Sequence, residues 1–505
     1  MGKIGIVVAV FMLGLLGAVT VPASAADPVF TVATGQEPDN IDVSKTRNPP
    51  IIAPSMLNIV EPLIGLAPDG SFVPSLATWT VSPDSKMVEF KLREGVRFHS
   101  GDPLTARDIV FSHQRQMMYD ENYKRRMRLI DKVEAVDDRT VRFFFKQPDA
   151  IFLKSRGPMV LSQAYHDRVG EEEFTKHPNG TGPYRFVSYR PAESLDMAAF
   201  DGYWGGAPSI KKARFVFVKD DETRVAKLRA GEVDIIMSTP FSAVDELRAA
   251  GFHTASVAVH PTVSLFFDTL NKKAPWGDVR VREALAHAVD ADAIVSGLFH
   301  GIPKRFPALA PGEVGYAPDL PFYKYDPALA KKLLAEAGRG GGFSMPLYYM
   351  TSSYYGLRET AEAVSLYFKA VGVEAQVKGF DAPRLIGMIR AAHKDPNLEF
   401  AAVFPHYISV TPEPTEVLSL SFYSSSGYTL YYNPEIDKLF EQASVTIDDT
   451  KRAVFIRDAF RILHKDVPFA PLWTNVSVYT MKPTVAFTPV ARGFLLMQLK
   501  DVHRQ

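Results

Sequence analysis

The chain has 505 residues, too many for a single hydrophobic core, so two or three domains are expected. Hydrophobic content of 46% and charged content of 23% are ordinary globular values, and a formal net charge of +0 argues against a nucleic-acid binder that works by neutralising phosphates. With no cysteine, the chain has no disulfides, thiolate metal ligands, cysteine nucleophile or lipid-modified N-terminal cysteine.

The first segment reads as an export signal. Lys3 supplies a positive charge, Ile4 to Val21 is apolar, and Ala23-Ser24-Ala25 has the small-x-small pattern of a cleavage site. A mature, soluble chain starting at Ala26 outside the cytoplasm is expected. The alternative is an uncleaved anchor, since about 18 apolar residues can span a bilayer; the cleavage pattern and the polar stretch from Asp27 onward favour removal.

Phe30 to Ala33 predicts a strand, Gln36 to Asp42 a turn-rich segment, and Ile51 to Ile64 an apolar helix. Pro74 to Trp79 and Val88 to Arg93 alternate as half-buried strands do. Ser100-Gly101-Asp102-Pro103 is a turn, Thr105 an N-cap, and Ile109 to Met117 the start of a helix. The polar, basic run Tyr119 to Arg128 reads as a solvated helix face. Asn179-Gly180-Thr181-Gly182-Pro183 makes a tight chain reversal, and Trp204 lies in a Gly-rich turn. Ala213 to Val218, a helix opened by Asp220, Asp221 or Glu222 and closed at Gly231, and the strand Val233 to Ile236 alternate in a doubly wound manner, with a sheet buried on both faces.

The stretch from Leu265 to Asp290 reads as strand, turn and helix. Leu265, Phe266 and Phe267 are strand-like, Pro275 and Gly277 break the chain, and the Asp278 carboxylate can cap the first helical turn. Val281, Leu285, Ala288 and Val289 then form one apolar helical face. A helix over Ala328 to Ala337 ends at Gly338. Gly340-Gly341-Gly342 follows a helix and lacks phosphate-loop spacing, so it is a linker. Pro346 to Ser352 and Val373 to Val377 are strands, Glu359 to Ala370, Asp437 to Ala443 and Thr450 to His464 are helices, and Val467 to Trp473 is a strand-like return. No catalytic motif with adequate spacing occurs: there is no GxSxG, HExxH, Walker loop or calcium loop, and the 12 histidines are scattered, His406 being the most notable. A secreted hydrolase is the different-class alternative, with no motif in its support.

The block Gly95 to Ser112, the run Asn179 to Phe186 and the stretch Leu270 to Asp290 resemble, nearly position for position, segments of the family 5 extracellular solute-binding proteins, the peptide- and nickel-type receptors of ABC importers. The resemblance covers nearly the whole mature chain. It implies an α/β, two-lobed periplasmic-binding-protein fold with an extra subdomain: signal peptide 1–25; lobe I over 26–60, 182–268 and 480–505; the subdomain over 61–181; lobe II over 269–479. It further implies a periplasmic, monomeric receptor with no catalytic residues, cofactor, metal or nucleic-acid partner. Such a receptor grips a small-molecule or short-peptide ligand between its lobes and hands it to the transmembrane subunits of an ABC permease with its cytoplasmic ATPase.

Peptide-binding members carry an aromatic-x-Ala-Asp-x-x-acid-Pro motif whose Asp pairs with the peptide ammonium. The counterpart here is Tyr407 to Pro414, in which Tyr407, Glu413 and Pro414 are kept but Val410 stands at the Asp position. An ammonium closed into a dry cleft without a counter-charge costs several kcal/mol, unless a shifted loop brings in another acid such as Glu413. Phe404 stands where some oligopeptide binders place an Arg, and Arg47 where an acidic residue can occur. Among family ligands (peptides, nickel chelates, oligosaccharides, opines), the aromatic supply suits a stacked organic solute. The candidate contacts are Arg47, Phe266, Phe267, Met350, Tyr354, Tyr355, Phe404, Tyr407, Val410, Glu413 and Trp473.

Overall fold

The computed structural model describes residues 2, 28–46, 55–67, 71–351, 356–395, 397–406, 413–490 and 497–504, without the side chains of 259–261 and 406. One ten-stranded sheet organises the chain. From edge to edge its strands are Val373–Phe380, Phe343–Met350, Ala401–His406, His253–Phe267, Phe469–Met481, Ile235–Ile236, Phe30–Thr34, Lys212–Phe217, Ser194–Ala199 and Tyr184–Arg190. Each half contains a parallel trio: Phe343–Met350 lies between Val373–Phe380 and Ala401–His406, and Phe30–Thr34 lies between Lys212–Phe217 and Ile235–Ile236. The remaining ladders are antiparallel, so the doubly wound pattern holds only within each trio.

Two long strands join the halves. His253–Phe267 and Phe469–Met481 run antiparallel, pairing His253 with Met481 at one end and Phe266 with Phe469 at the other. Their register slips between Ala258 and Thr262 and again at Val263 and Ser264. Such irregularities bend and twist a strand locally. On either side of the slip lie separate apolar cores: one contains Val263, Leu265, Phe267, Trp276 and Leu347, the other Phe30, Val32, Phe215, Ile235 and Tyr479. The helix Phe241–Ala249 straddles the boundary, with Phe241 and Val244 in the first core and Ala243 and Leu247 in a further cluster with Ala33 and Ile236. Two lobes thus share one continuous sheet.

A four-stranded antiparallel sheet, in the order Ala77–Val81, Met87–Leu92, Thr140–Phe145 and Ile130–Ala135, forms a separate unit around its own core of Phe90, Phe98, Val141, Phe143 and Phe152. The helix Ala106–Tyr119 opens with the expected Thr105 cap, and Asp108 completes a capping box. The basic run beyond it is interrupted. Asp120 Oδ1 accepts the amides of Asn122 and Tyr123 to start a short helix, Glu121–Arg126, that buries Tyr123 while Lys124 and Arg125 stay outward and Arg126 is half-buried.

Two expectations need correction. The apolar stretch ending at Ile64 is helical only at Ser55 and Met56 among its described residues; Pro62 then bridges Met159, and Ile64–Leu66 is a strand. Its carbonyls serve another partner: Ile59 O and Asn58 O accept the amides of Gly182 and Tyr184. This explains the glycines of the Asn179 to Pro183 run, since a Cβ on Gly180 would lie 2.1 Å from Ile59 O and one on Gly182 2.5 Å from Asn58 O. Pro74 to Trp79 is likewise not one strand but the ends of two, Phe72–Pro74 and Ala77–Val81.

Candidate functional site

Arg47, Tyr354, Tyr355, Tyr407 and Val410 lie outside the described residues, as do the signal segment and the His406 side chain. The remaining six are Phe266, Phe267, Met350, Phe404, Glu413 and Trp473, and all but Glu413 belong to one apolar core. Phe266 and Phe404 occupy adjacent antiparallel strands, two register positions apart, so their side chains are diagonal neighbours on one sheet face. Their ring centroids are 6.0 Å apart with planes tilted by 31°, and Phe400 closes on Phe266 edge-on at 6.3 Å. Met350 ends its strand opposite Phe380, two residues before Ser352, and is buried.

Phe267 and Trp473 are wholly buried. The Trp473 ring packs on Phe299 at 4.9 Å, Phe299 on Phe241 at 5.8 Å, and the indole Nε1 donates to Thr360 Oγ1 at 3.2 Å. A ring enclosed on both faces has none to offer a solute, so Phe267 and Trp473 act here in packing. Trp473 pairs with Val263 beside the second register slip, and its aromatic chain reaches Phe241 on the helix that straddles the boundary between the cores.

Glu413 is also interior. Its carboxylate caps the short helix Pro414–Val417, accepting the Thr415 amide at 3.0 Å, and its Oε1 lies 2.9 Å from Arg452 Nη1. Neither side chain of this pair reaches solvent, with exposures of 1% and 0%. Arg452 also donates from Nη2 to Asp449 Oδ1 at 2.7 Å. The acid that ends the Tyr407 to Pro414 motif therefore already has its counter-charge within the protein. A ligand ammonium would have to compete with Arg452 for it.

No motif marks the residues that bring the four-stranded unit against this region. Asp149 Oδ1 accepts the amides of Ile151 and Phe152 and so starts the turn that carries Leu153–Ser155. The turn presents the Ala150 amide to Ser444 O at 2.9 Å and Lys154 Nζ to Asp449 Oδ2 at 2.7 Å. Burial pushes the Asp149 carboxyl up to about 6; the two amides and Arg128 oppose that rise, and the nearby Glu413 charge adds to it. Burial would raise Asp449 too, but Lys154 and Arg452 hold it below the ordinary value. Among the described residues no group of three or more His, Asp or Glu side chains is placed to hold a metal ion, and no helix is long and apolar enough to cross a membrane.

Two lobes on one sheet, joined by paired strands whose ladder slips between them, define the two-lobed class of solute receptors. Residues 71–429 match the model of the bacterial extracellular solute-binding proteins, family 5, and the chain belongs to that family. The dipeptide-binding protein of Escherichia coli (strain K12) is 29% identical over 522 residues, spanning 93% of this chain and 96% of its own. Heme-binding protein A of Haemophilus influenzae is 30% identical over 458 residues, spanning 82% of this chain and 80% of its own. The solved structure of a periplasmic binding protein, DppA, from Helicobacter pylori in complex with the peptide STSA has the same fold, with a TM-score of 0.78 and 22% identity over 94% of this chain and 98% of that one.

Proposed function

We propose that the chain is the periplasmic receptor of an ABC importer, capturing a peptide or peptide-like organic solute between its lobes and delivering it to the permease. The observation that carries this reading is the pair of crossing strands with its register slip between Ala258 and Thr262, a natural bending point for closure. Closure expels water, which strengthens each polar contact inside the cleft. Lobe I comprises 26–60, 182–268 and 480–505, the extra subdomain 61–181, and lobe II 269–479. The receptor works as a monomer without catalysis, reaches the periplasm by a cleavable signal peptide, and meets the transmembrane subunits through faces of both lobes that only closure aligns.

The name of one relative, a dipeptide-binding protein, supports a peptide-like ligand, while another, a heme-binding protein, shows that relatives also take a different organic solute. Within this chain, Phe404 supplies no cation, Val410 no carboxylate, and Glu413 is held by Arg452. A neutral or anionic solute, such as a blocked peptide, a sugar or an opine, therefore fits better than a free dipeptide. The test is a thermal-shift screen of the purified mature chain against peptides, opines, oligosaccharides and metal chelates. A ligand at about 100 times its dissociation constant adds roughly 2.7 kcal/mol of stability. Turnover of a candidate without stabilisation would instead establish a hydrolase.

A further inference from the structure

We propose that Asp449 is a positioning residue that ties closure of the subdomain onto lobe II to the setting of Glu413, the acid at the end of the Tyr407 to Pro414 segment. This rests on the receptor reading above and concerns how that site is set. Four charged groups stand in series: Lys154 on the subdomain, then Asp449, Arg452 and Glu413 on lobe II, at successive separations of 2.7, 2.7 and 2.9 Å. The first two are reached by solvent and the last two are not. Lys154 and Asp449 are 19% and 52% exposed, whereas Arg452 and Glu413 are 0% and 1%.

The wet end can therefore come apart while the dry end cannot. The two Asp449 oxygens serve different partners, Oδ2 taking Lys154 and Oδ1 taking Arg452. When the subdomain departs, Lys154 and the Ala150 amide leave with it, and Asp449 regains its whole charge for Arg452. Arg452 is then drawn toward Asp449 and loosens its hold on Glu413, whose carboxylate fixes the Thr415 amide at the start of Pro414–Val417. When the subdomain returns, Lys154 shares Asp449, and Arg452 settles back on Glu413. The hold on Glu413, and through it the start of Pro414–Val417, thus depends on whether the lobes are together.

The test uses the mature full-length chain, ligand-free, with two spin labels. The chain has no native cysteine, so Met118→Cys and Leu366→Cys, at positions 69% and 70% exposed, take labels selectively. Lys154→Met should shift the label–label distance toward the open form by about two- to fivefold in population, the contribution of an exposed ion pair, without changing the melting temperature. It should also speed hydrogen exchange at the Thr415 amide, although Lys154 touches neither Thr415 nor Glu413. Asp449→Asn should produce the same opening. An unchanged distance distribution in Lys154→Met, or opening with unchanged Thr415 exchange, overturns the proposal. Failure of the receptor reading is distinguishable, because it appears as the absence of saturable solute binding whatever the label distances do.

Discussion

Arg452→Met is the most informative stability test, because it removes a fully buried cation and leaves its shape nearly intact. In the wild type, Glu413 is held by Arg452 at 2.9 Å and by one backbone amide, with 1% of its side chain exposed. Without the cation, the carboxylate is buried uncompensated, and breaking such a pair costs about 3–5 kcal/mol. Unfolding entropy of about 2.1 cal/mol/K per residue converts 4 kcal/mol into roughly 9 °C if lobe II, about 210 residues, melts alone, and into roughly 4 °C if the whole chain melts together. Calorimetry and urea unfolding of Arg452→Met, Glu413→Gln and the double variant at pH 7 provide the readout. The double variant buries no charge and should recover at least about 2 kcal/mol of the sum of the single losses, since apolar replacement of a buried pair is often neutral. Wild-type melting of Arg452→Met at pH 7, or additive losses in the double variant, would refute the reasoning.

Gly180→Ala should lower stability by several kcal/mol or block folding, because its Cβ would sit 2.1 Å from Ile59 O where no flexible side chain can yield; an expression and melting comparison with Gly206→Ala, which is tested by backbone angle alone, separates crowding from strain. His99 is held neutral by burial, its folded value lowered to about 4, with Nε2 donating to Gly182 O at 2.8 Å. It should show no NMR titration between pH 7 and 5, and the stability it contributes, present above its unfolded value near 6.5, should be lost as pH falls toward 4. Val410→Asp should strengthen binding of peptides with free N-termini by about 1.5–3 kcal/mol in calorimetry, by restoring a charge-assisted hydrogen bond; micromolar binding of dipeptides to the wild type would show that another acid already serves.

The parts of the fold that depend on short-range chemistry were legible. Asp278 caps Val279–His287 as expected, accepting the Arg280 amide at 2.9 Å, and Thr105 and Asp220 start their helices. Leu357–Ala370 buries Leu357, Thr360, Ala361, Val364 and Phe368, a helical repeat plain in the residues. What could not be read depends on distant partners. Of His253–Phe267, only the last three residues stand out as strand; the segment before them is ladder because Phe469–Met481 lies beside it, some 200 residues later. The candidate site shows the same limit. An aromatic run cannot reveal whether a ring faces a cleft or a core, and Phe267 and Trp473 face a core. Nor does Glu413 announce Arg452, which is brought to it from the second turn of a different helix.

The position of Phe469–Met481 in the middle of the sheet has a consequence for biosynthesis. It leaves the ribosome some 200 residues after His253–Phe267, yet it supplies the neighbour of both Ile235–Ile236 and most of His253–Phe267. At about 5–20 residues per second, roughly 10–40 s separate the synthesis of the two crossing strands. Throughout that interval the nascent chain carries an unpaired strand edge in each half, the kind of edge that seeds association with other chains. Neither half of the sheet can be completed before Phe469–Met481 exists, so it stays open until then, a state suited to threading through a narrow membrane pore. A premature stop before Phe469 leaves both edges permanently bare.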